Sequence, residues 1–432
     1  MRAAVRGWGA ACGALVLVTP AAVQAVATSG SAPVAPLAAL VAGTTAASPP
    51  LAGLAVVVAD RDKVLRSAAL GDAVVAPPRA LTPDTPVRVA SISKLAVAVA
   101  VMRLVEAGQL DLDRDVSAYL GWTLRNPGFP DAPLTLRQLL SHTSGLDDGP
   151  GYSFPLGTSL RDGLTAAHWS AYAPGVRFGY ANLNYGVIAT VMEAATQQRF
   201  DRLMTAQLFA PLGLDACFNW SGCSDAAVAA AATLYRKGID EAHWNPAGPW
   251  VAQVDDLRGV RPTCPVRGMA TCDMARYVPG SNGTLFSPQG GLRISALGLA
   301  KIGRLLLRGG EVDGARLLRP ETVKSLLTPV WNGTPPTGDN YDGLMRCYGP
   351  GLQCLTGGAG DQPVVGTLLT GWGHLGEAYG LYGGLWLDPT RDRVFVYLIT
   401  GTGDDPAKFP GVRSQFRSFE EAVLTDLVTR SD

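Results

Sequence analysis

Apolar runs separated by polar turns lie near both ends of the chain. Residues 51–73, LAGLAVVVADRDKVLRSAALGDA, hold two apolar runs around the polar turn ADRDK, which predicts a β-hairpin. Towards the other end, YGLYGGLWLD and RVFVYLIT flank PTRD and predict a second strand pair. We expect both pairs to belong to one antiparallel sheet, with a helical lobe inserted between them.

Helical patterns fill the middle of the chain. The run after Lys94 stays apolar to Val105 and predicts a helix that ends near Gly108. Thr135 is followed three residues later by Gln138, the spacing of a capping box, which predicts a helix start before LLSH. Other helices are predicted in PLAALVAGTTAA, NYGVIATVMEAATQQ, ISALGLAKIGRLLLRGG and FEEAVLTDLVTR.

The order of these patterns predicts an α/β fold of the α+β type. It consists of an antiparallel sheet built from both chain ends, flanked by helices, and an inserted lobe that is mostly helical. One unit would span residues 28–432. Its sheet lobe would cover about 33–108 and 280–432, and its helical lobe about 109–279.

The first residues have the composition of an export leader. Two arginines precede an apolar run from Trp8 to Val18, and small residues follow it. This pattern predicts a secretory signal peptide over residues 1–27, with cleavage after Ala25 or Ala27. A retained membrane anchor is the alternative, but the apolar run is short for a span.

The charges of the chain are balanced, with 36 basic and 36 acidic side chains. Loss of Arg2 and Arg6 with the leader would leave a slight excess of acid, so we expect no nucleic-acid partner. No later apolar run is long enough to cross a bilayer. We therefore expect an exported protein, periplasmic or secreted, without a stable membrane span after processing.

Six cysteines beyond the leader form three close pairs, within CFNWSGC, CPVRGMATC and CYGPGLQC. Short loops close easily and an exported chain meets an oxidising compartment, which favours three local disulfides. The spacings do not fit a metal site, so we expect no metal. The cysteines concerned are Cys217, Cys223, Cys264, Cys272, Cys347 and Cys354.

Two serines and a lysine stand at the head of the apolar helix in RVASISKLAVAVA. Ser91 and Lys94 are three residues apart, so on a helix the hydroxyl can contact the amine. Free N–H groups at the helix start could stabilise an oxyanion formed by attack of the serine. Burial would lower the pKa of the amine, so that it could accept a proton. The pair predicts a nucleophile with its base, with a capping serine and a snorkelling lysine as the alternative.

Two further motifs accompany the serine and lysine. Tyr180-Ala-Asn182 precedes a predicted helix, and His374-Leu-Gly376 begins a predicted strand. The stretches LTPDTPVRVASISK, LTLRQLLSHTSGL and PQGGLRISALGLAKIGRLL support them. In this order the motifs resemble the serine beta-lactamase, D,D-peptidase and esterase superfamily, especially its class C-like branch, from about residue 35 to 430.

The resemblance implies a role for each motif residue. Ser91 would be the acylated nucleophile, and Lys94 would keep it poised and shuttle its proton. Tyr180 would be the general base or a proton relay. The oxyanion hole would consist of the backbone N–H groups of Ser91 and Glu377. The residues implied to bind substrate or line the cleft are Asn182, His374, Gly376 and Glu377.

The third motif departs from the Lys-Thr-Gly that true beta-lactamases of this branch usually carry. His374 is mostly neutral above pH 7 and Leu375 offers no hydroxyl, so recognition of a carboxylate is weakened. We therefore expect a serine hydrolase without a cofactor, acting on a small-molecule ester, amide or peptide. The recognised end of the substrate would be neutral, or an amine drawn to Glu377. A beta-lactamase or D,D-carboxypeptidase, acting on penicillins or cell-wall peptides, is the alternative.

Overall fold

The structure of the protein is a computed structural model. Apart from Val26–Ala27, the predicted leader lies outside the described residues. Across the described part of the chain, no helix combines the length and apolarity needed to span a bilayer. The described residues are 26–27, 35–266, 269, 271–333 and 340–430.

Strands occur mainly towards the two ends of the described chain. Their bounds are β1 Val26–Ala27, β2 Gly53–Ala59, β3 Val64–Val75, β4 Pro78–Ala80, β5 Val87–Arg88, β6 Cys217–Phe218, β7 Leu234–Arg236, β8 Val251–Val254, β9 Leu292–Ile294, β10 Glu311–Val312, β11 Ala315–Arg316, β12 Cys347–Tyr348, β13 Gln353–Leu355, β14 Gly371–Ala378, β15 Leu381–Asp388, β16 Arg393–Ile399 and β17 Gly401–Thr402.

Helices lie between the strands and at the end of the described chain. Their bounds are α1 Ala35–Val41, α2 Ser93–Glu106, α3 Ser117–Leu120, α4 Leu136–Leu140, α5 Leu160–Gly163, α6 Leu183–Thr196, α7 Phe200–Met204, α8 Asp225–Ala230, α9 Ala296–Leu307, α10 Pro320–Leu326 and α11 Ser418–Thr429.

The largest layer is an antiparallel sheet that takes strands from both ends of the chain. In the described residues it has nine strands, in the order β1-β3-β2-β16-β15-β14-β13-β12, with β4 paired to β3. β2 and β16 run antiparallel, with Leu54 opposite Ile399 and Ala59 opposite Val394. The prediction of one sheet shared by the two ends is therefore confirmed, as are the two predicted hairpins.

Helices cover both faces of this sheet. α9 packs against β2, β15 and β16 on one face, and α11 packs on the other face beside α1. Every residue of β2 is buried. Because both faces are covered, β2 has a continuous apolar sequence in place of the alternation typical of a half-exposed strand.

The region from 109 to 279 contains helices α3 to α8, which are short apart from the 14-residue α6, and the capping box predicted at Thr135 and Gln138 is present. It also contains strands that the sequence pattern did not predict. β6 pairs with β9, and β9 pairs with β5, which immediately precedes the Ser91 turn. Strands of two to four residues carry too little periodicity to be recognised from sequence.

The cysteines of the described chain are joined as three local disulfides, Cys217–Cys223, Cys264–Cys272 and Cys347–Cys354. This agrees with the pairing that the sequence favoured. The last of them joins opposed residues of the β12–β13 hairpin. That hairpin forms the end of the large sheet nearest β14, the strand that carries the third motif.

Candidate active site

Ser91 lies where a short strand passes into a buried helix. β5 ends at Arg88, and the 3-10 turn Ala90–Ile92 leads directly into α2. Ala90 has a φ of 45°, in the left-handed region that residues other than glycine seldom adopt. Strained backbone of this kind is common at functional sites, and here it coincides with the Ser91 motif.

Lys94 lies on the first turn of α2 and is fully buried. Its Nζ is 2.8 Å from Ser91 Oγ, 2.9 Å from Asn182 Oδ1 and 3.0 Å from the Gln289 carbonyl oxygen. Burial lowers the pKa of Lys94 to about 7, and the charge of Asp148 acts in the opposite direction. A substantial share of Lys94 is therefore a neutral amine near neutral pH.

The contacts of Lys94 decide which neighbour gives it a proton. A neutral amine has two hydrogens and one lone pair. When Lys94 loses a proton, it must therefore become the acceptor in one of its three hydrogen bonds. The Asn182 and Gln289 partners are carbonyl oxygens, which only accept. Ser91 carries the hydroxyl that can donate, so the lone pair of Lys94 is directed at the serine.

Tyr180 approaches Lys94 and Ser91 from the loop before α6. Its ring centroid is 4.8 Å from Lys94 Nζ. Burial raises the pKa of Tyr180 above its usual value, and contact with the Ser91 side chain offsets only part of this. The phenol is therefore protonated near neutral pH, which suits a proton relay better than a phenolate base.

His142 supports the ring of Tyr180. The two rings stack with centroids 4.2 Å apart and planes inclined by 26°. His142 Nδ1 accepts the backbone N–H of Ala181 at 3.1 Å. Burial and the nearby Lys94 lower the pKa of His142 well below its ordinary value, so the imidazole is neutral. These contacts make His142 a scaffold for Tyr180.

Asn182 is shared by Lys94 and an aspartate that lies outside the recognised motifs. Asp148 Oδ2 accepts the Asn182 backbone N–H at 2.7 Å and its Nδ2 at 3.0 Å, and Oδ1 accepts the Leu183 N–H at 2.9 Å. The sequence did not reveal this contact because 34 residues separate the two side chains. The sequence feature that could have identified Asp148 is its position two residues after LTLRQLLSHTSGL, one of the stretches that carry the family resemblance.

His374, on β14, is buried beneath the cleft. Its Nε2 is 2.7 Å from the Tyr348 hydroxyl, and its Nδ1 is 2.5 Å from the Leu375 carbonyl oxygen. A carbonyl only accepts, so the ring proton belongs on Nδ1 and Tyr348 donates to Nε2. Burial and the neighbouring Lys94 lower the pKa of His374 to about 3. The ring is neutral and offers no charge to an anionic substrate.

Gly376 and Glu377 point to opposite faces of β14. A Cβ atom at Gly376 would lie 2.4 Å from the Val89 carbonyl oxygen, so the glycine lets the strand approach the Ser91 turn. Side chains alternate along a strand, and the Glu377 carboxylate accepts from the Tyr382 hydroxyl at 2.8 Å. The predicted attraction of an amine to this carboxylate is not tested by the Tyr382 contact and stays a prediction. The expected role of the Glu377 N–H stays a prediction.

Two cavities meet at Tyr341, a residue that the sequence analysis did not single out. Tyr341 is 43% exposed, and its ring packs edge-on against Tyr180 with centroids 5.9 Å apart. The cavity on the strand side measures about 330 Å³ and the one beside Tyr180 about 270 Å³. The first is lined by residues that include Leu375, Glu377, Arg417 and Glu420, and the second by Tyr172, Arg177, Phe178 and Tyr180.

Comparison with known proteins agrees with this geometry. The sequence profile of the beta-lactamase family matches residues 39–415. The chain belongs to the beta-lactamase family. The match includes the Ser91 turn, the Tyr180 loop and β14, so all three elements of the site lie within the family region.

Curated relatives share part of the chain. Penicillin-binding protein 4 of Amycolatopsis lactamdurans is 33% identical over 148 residues, 31% of this chain and 36% of the relative. The carboxypeptidase/endopeptidase AmpH of Escherichia coli K12 is 30% identical over 30% of this chain and 36% of AmpH. Esterase EstB of Burkholderia gladioli is 34% identical over 37% of this chain and 45% of EstB. The chain thus spans less than half the length of these relatives.

Solved structures share the fold over most of the chain. The octameric penicillin-binding protein homologue of Pyrococcus abyssi has a TM-score of 0.61 at 20% identity, over 88% of this chain and 74% of its own. The hydrolase EstCE1 has a TM-score of 0.58 at 20% identity, over 86% and 93%. These likenesses confirm the fold class that the hydrophobic pattern predicted.

Proposed function

We propose that the protein is a serine hydrolase that cleaves ester or amide/peptide bonds through an acyl-enzyme on Ser91. The observation that carries the proposal is the 2.8 Å contact between Ser91 Oγ and a fully buried Lys94 whose pKa is lowered to about 7. A nucleophile beside a base that is partly neutral at physiological pH is the arrangement that acyl transfer requires.

Acylation begins when Ser91 Oγ attacks the substrate carbonyl carbon and its proton passes to neutral Lys94 Nζ. The carbonyl π electrons move to the oxygen, and the N–H groups of Ser91 and Glu377 stabilise the oxyanion. The carbonyl re-forms as the bond to the leaving alkoxide or amine breaks. The leaving group takes a proton from the Tyr180 phenol, which regains one from the Lys94 ammonium.

Deacylation uses the same groups in the opposite direction. A water molecule attacks the acyl carbon, and its proton passes to Lys94, with Tyr180 as the relay. The second oxyanion collapses with loss of Ser91 Oγ, which is reprotonated by Lys94. The carboxylic acid leaves, and the enzyme returns to its starting state with all protons accounted for.

The recognised end of the substrate follows from the strand side of the site. His374 is neutral and Leu375 has no hydroxyl, so neither supplies the charge or hydrogen bond that would hold a carboxylate. The cavity beside them is lined by the exposed Glu377 and by Glu420, whose pKa is raised by burial to about 7. We infer a substrate whose recognised end is neutral or an amine.

A second candidate is a D,D-carboxypeptidase or beta-lactamase. Arg417 lines the same cavity, and a guanidinium is the side chain best suited to a carboxylate. The names penicillin-binding protein 4 and AmpH among the curated relatives also support this candidate. We rank it second because the exposed Glu377 shares the cavity with Arg417, and neither His374 nor Leu375 supplies a charge or hydroxyl to a carboxylate.

We also propose that the protein is exported to the periplasm or secreted. Three local disulfides in the described residues support this, because such bonds persist in oxidising compartments. Cell fractionation of an epitope-tagged chain tests it. We expect the tag outside the cytoplasm, and a cytoplasmic location with reduced cysteines would contradict the proposal.

The activity is tested with purified protein and its Ser91→Ala variant on four classes of substrate. These are nitrophenyl butyrate, D- and L-alanine p-nitroanilides, a D-Ala-D-Ala peptide and a chromogenic cephalosporin. We expect turnover of the ester or the anilides, lost in Ser91→Ala. Turnover of the peptide or cephalosporin alone would make the second candidate the function, and activity retained in Ser91→Ala would refute both.

A further inference from the structure

Asp148 is half-buried and lies where the loop after α4 meets the start of α6. Its two carboxylate oxygens accept three hydrogen bonds, two from Asn182 and one from the Leu183 N–H. We propose that Asp148 is a positioning residue that fixes the Asn182 amide with its oxygen on Lys94, and so keeps Lys94 aligned on Ser91. This inference rests on the serine hydrolase function proposed above.

The orientation of the Asn182 amide follows from its two neighbours. Asp148 is a carboxylate and accepts, so the Nδ2 end must face it, and the Oδ1 end then meets Lys94 Nζ at 2.9 Å. A flipped amide would set an oxygen against the carboxylate and a donor against the lysine. Both hydrogen bonds would be lost in a partly buried setting, so the observed orientation is preferred.

Asp148 also makes the helix-capping hydrogen bonds that the Asn182 side chain could otherwise make. Asn182 occupies the N-cap position of α6, where an asparagine side chain often binds the free N–H groups of its own helix. Here that side chain makes no capping hydrogen bond. The Asp148 carboxylate binds the first N–H groups of the helix and adds a favourable negative charge at its N-terminus. The Asn182 amide is thereby available to Lys94.

The negative charge of Asp148 also acts on the pKa of Lys94. Several groups surround Lys94, and Asp148 is the carboxylate among them that raises the pKa of the amine. The rings of His142 and His374 are neutral near neutral pH. Lys94 contacts Ser91, Asn182 and the Gln289 carbonyl, and lies over the rings of Tyr180 and Tyr185. Asp148 acts on it by charge, and the neutral rings of His142 and His374 lie near enough to sense the lysine's own charge.

These contacts predict two separate effects of Asp148→Asn. Loss of the carboxylate loosens the Asn182 amide, and we expect the maximal rate to fall by roughly tenfold to a hundredfold, as for other small misplacements of catalytic groups. Loss of the negative charge lowers the pKa of Lys94, so the neutral amine persists to lower pH. The acidic limb of the pH–rate profile therefore moves to lower pH while the plateau falls.

The test measures the rate at which a fluorophosphonate probe labels Ser91 as a function of pH, which needs no knowledge of the natural substrate. Wild type, Asp148→Asn and Asp148→Ala are compared, together with Asp60→Asn. Asp60 is the matched control, a half-buried carboxylate that binds two backbone N–H groups in the β2–β3 turn. We expect its profile to equal that of wild type.

A double variant separates positioning from general stability. With Asn182→Ala present, Asp148→Asn should lower the plateau little further, while still moving the acidic limb. The proposal would be overturned if wild type and Asp148→Asn had the same plateau labelling rate and the same pH for the acidic limb. It would also be overturned if the plateau rate fell in Asp148→Asn but the pH of the acidic limb did not change. Asp148→Asn nearly preserves the side-chain shape, so its midpoint of thermal unfolding shows that the measured enzyme is folded.

Failure of the inference is distinguishable from failure of the proposed function. If wild type is labelled and Ser91→Ala is not, the nucleophile is established whatever Asp148 does. Absence of labelling in wild type would instead contradict the proposed function itself.

Discussion

The helix side and the strand side of the cleft differ in what their polar atoms contact. On the helix side, Lys94 is buried with Ser91 and Asn182 as hydrogen-bond partners, so the polar groups are directed at the proposed nucleophile and at one another. On the strand side, His374 is bound to Tyr348 and Glu377 to Tyr382, so these side chains are engaged with the protein. In the proposed reaction, proton transfer therefore belongs to the helix side, while the strand side would contribute the Glu377 N–H of the oxyanion hole.

This difference explains why the family motifs are informative about one side only. The helix side matches the superfamily pattern at Ser91, Lys94, Tyr180 and Asn182, and its geometry supports the reaction proposed. The strand side departs at Leu375, and we propose that the cavities around Tyr341 recognise the substrate there. Variants on each side should accordingly change different kinetic quantities.

The largest effect is expected from Lys94→Met on the helix side. Removing the base should lower kcat/KM by about a thousandfold or more, in the range of general-base and nucleophile activation. Thermal unfolding should not occur at a lower temperature, because methionine fills the stem volume and removes a buried amine. The control is Lys301→Met, which removes a partly exposed lysine paired with Asp313. Activity within tenfold of wild type would contradict the role of Lys94.

Tyr180→Phe should have the next largest effect. Loss of the relay is expected to lower kcat by about a hundredfold. The pH of the acidic limb should not change, because it reports the pKa of Lys94. Stopped assays across the pH range measure both quantities, with Tyr119→Phe as the control, since the Tyr119 hydroxyl accepts the Asp111 N–H and lines neither cavity beside the site. If the acidic limb disappears in Tyr180→Phe, the phenol and not the lysine is the titrating base.

The change of wild-type kcat/KM with pH is expected to be smaller, and its direction follows from the pKa of Lys94. Lys94 accepts a proton only when neutral, and its pKa is lowered to about 7, so kcat/KM should rise as pH increases through 7 and then level off. We expect about a tenfold gain between one pH unit below that value and the plateau. A profile flat from about pH 5 to 9 is incompatible with Lys94 as the base.

Glu377→Gln on the strand side should have the smallest effect. Its exposed carboxylate would attract an amine only weakly through solvent, so kcat/KM for alanine p-nitroanilides should fall about threefold relative to nitrophenyl butyrate. Glu311→Gln, at a surface pair with Arg316, is the matched control. An equal loss on both substrates would show that Glu377 does not select amines.

Local spacing made much of the fold and the helix side of the site predictable. The three-residue separation of Ser91 and Lys94 fixes their contact on one helix, and the apolar runs at the two ends fixed the shared sheet. Disulfide partners lay within a few residues of each other, so sequence proximity alone favoured the pairing.

Features that depend on distant parts of the chain were not predictable. Asp148 reaches Asn182 from 34 residues away, and Tyr348 reaches His374 from 26 residues away. No local pattern encodes either contact. The side on which Glu377 lies depends on the register of β14, since a shift of one residue reverses the face of every side chain.

The most direct test of the central claim is the mass of the intact protein trapped during turnover. Wild type and Ser91→Ala are mixed with nitrophenyl butyrate, quenched in acid within a fraction of the turnover time and measured by mass spectrometry. The account predicts one butyryl group on wild type, mapped to the peptide that contains Ser91, and none on the variant. Turnover without an adduct on Ser91, or an equal adduct on the variant, would contradict an acyl-enzyme at this serine.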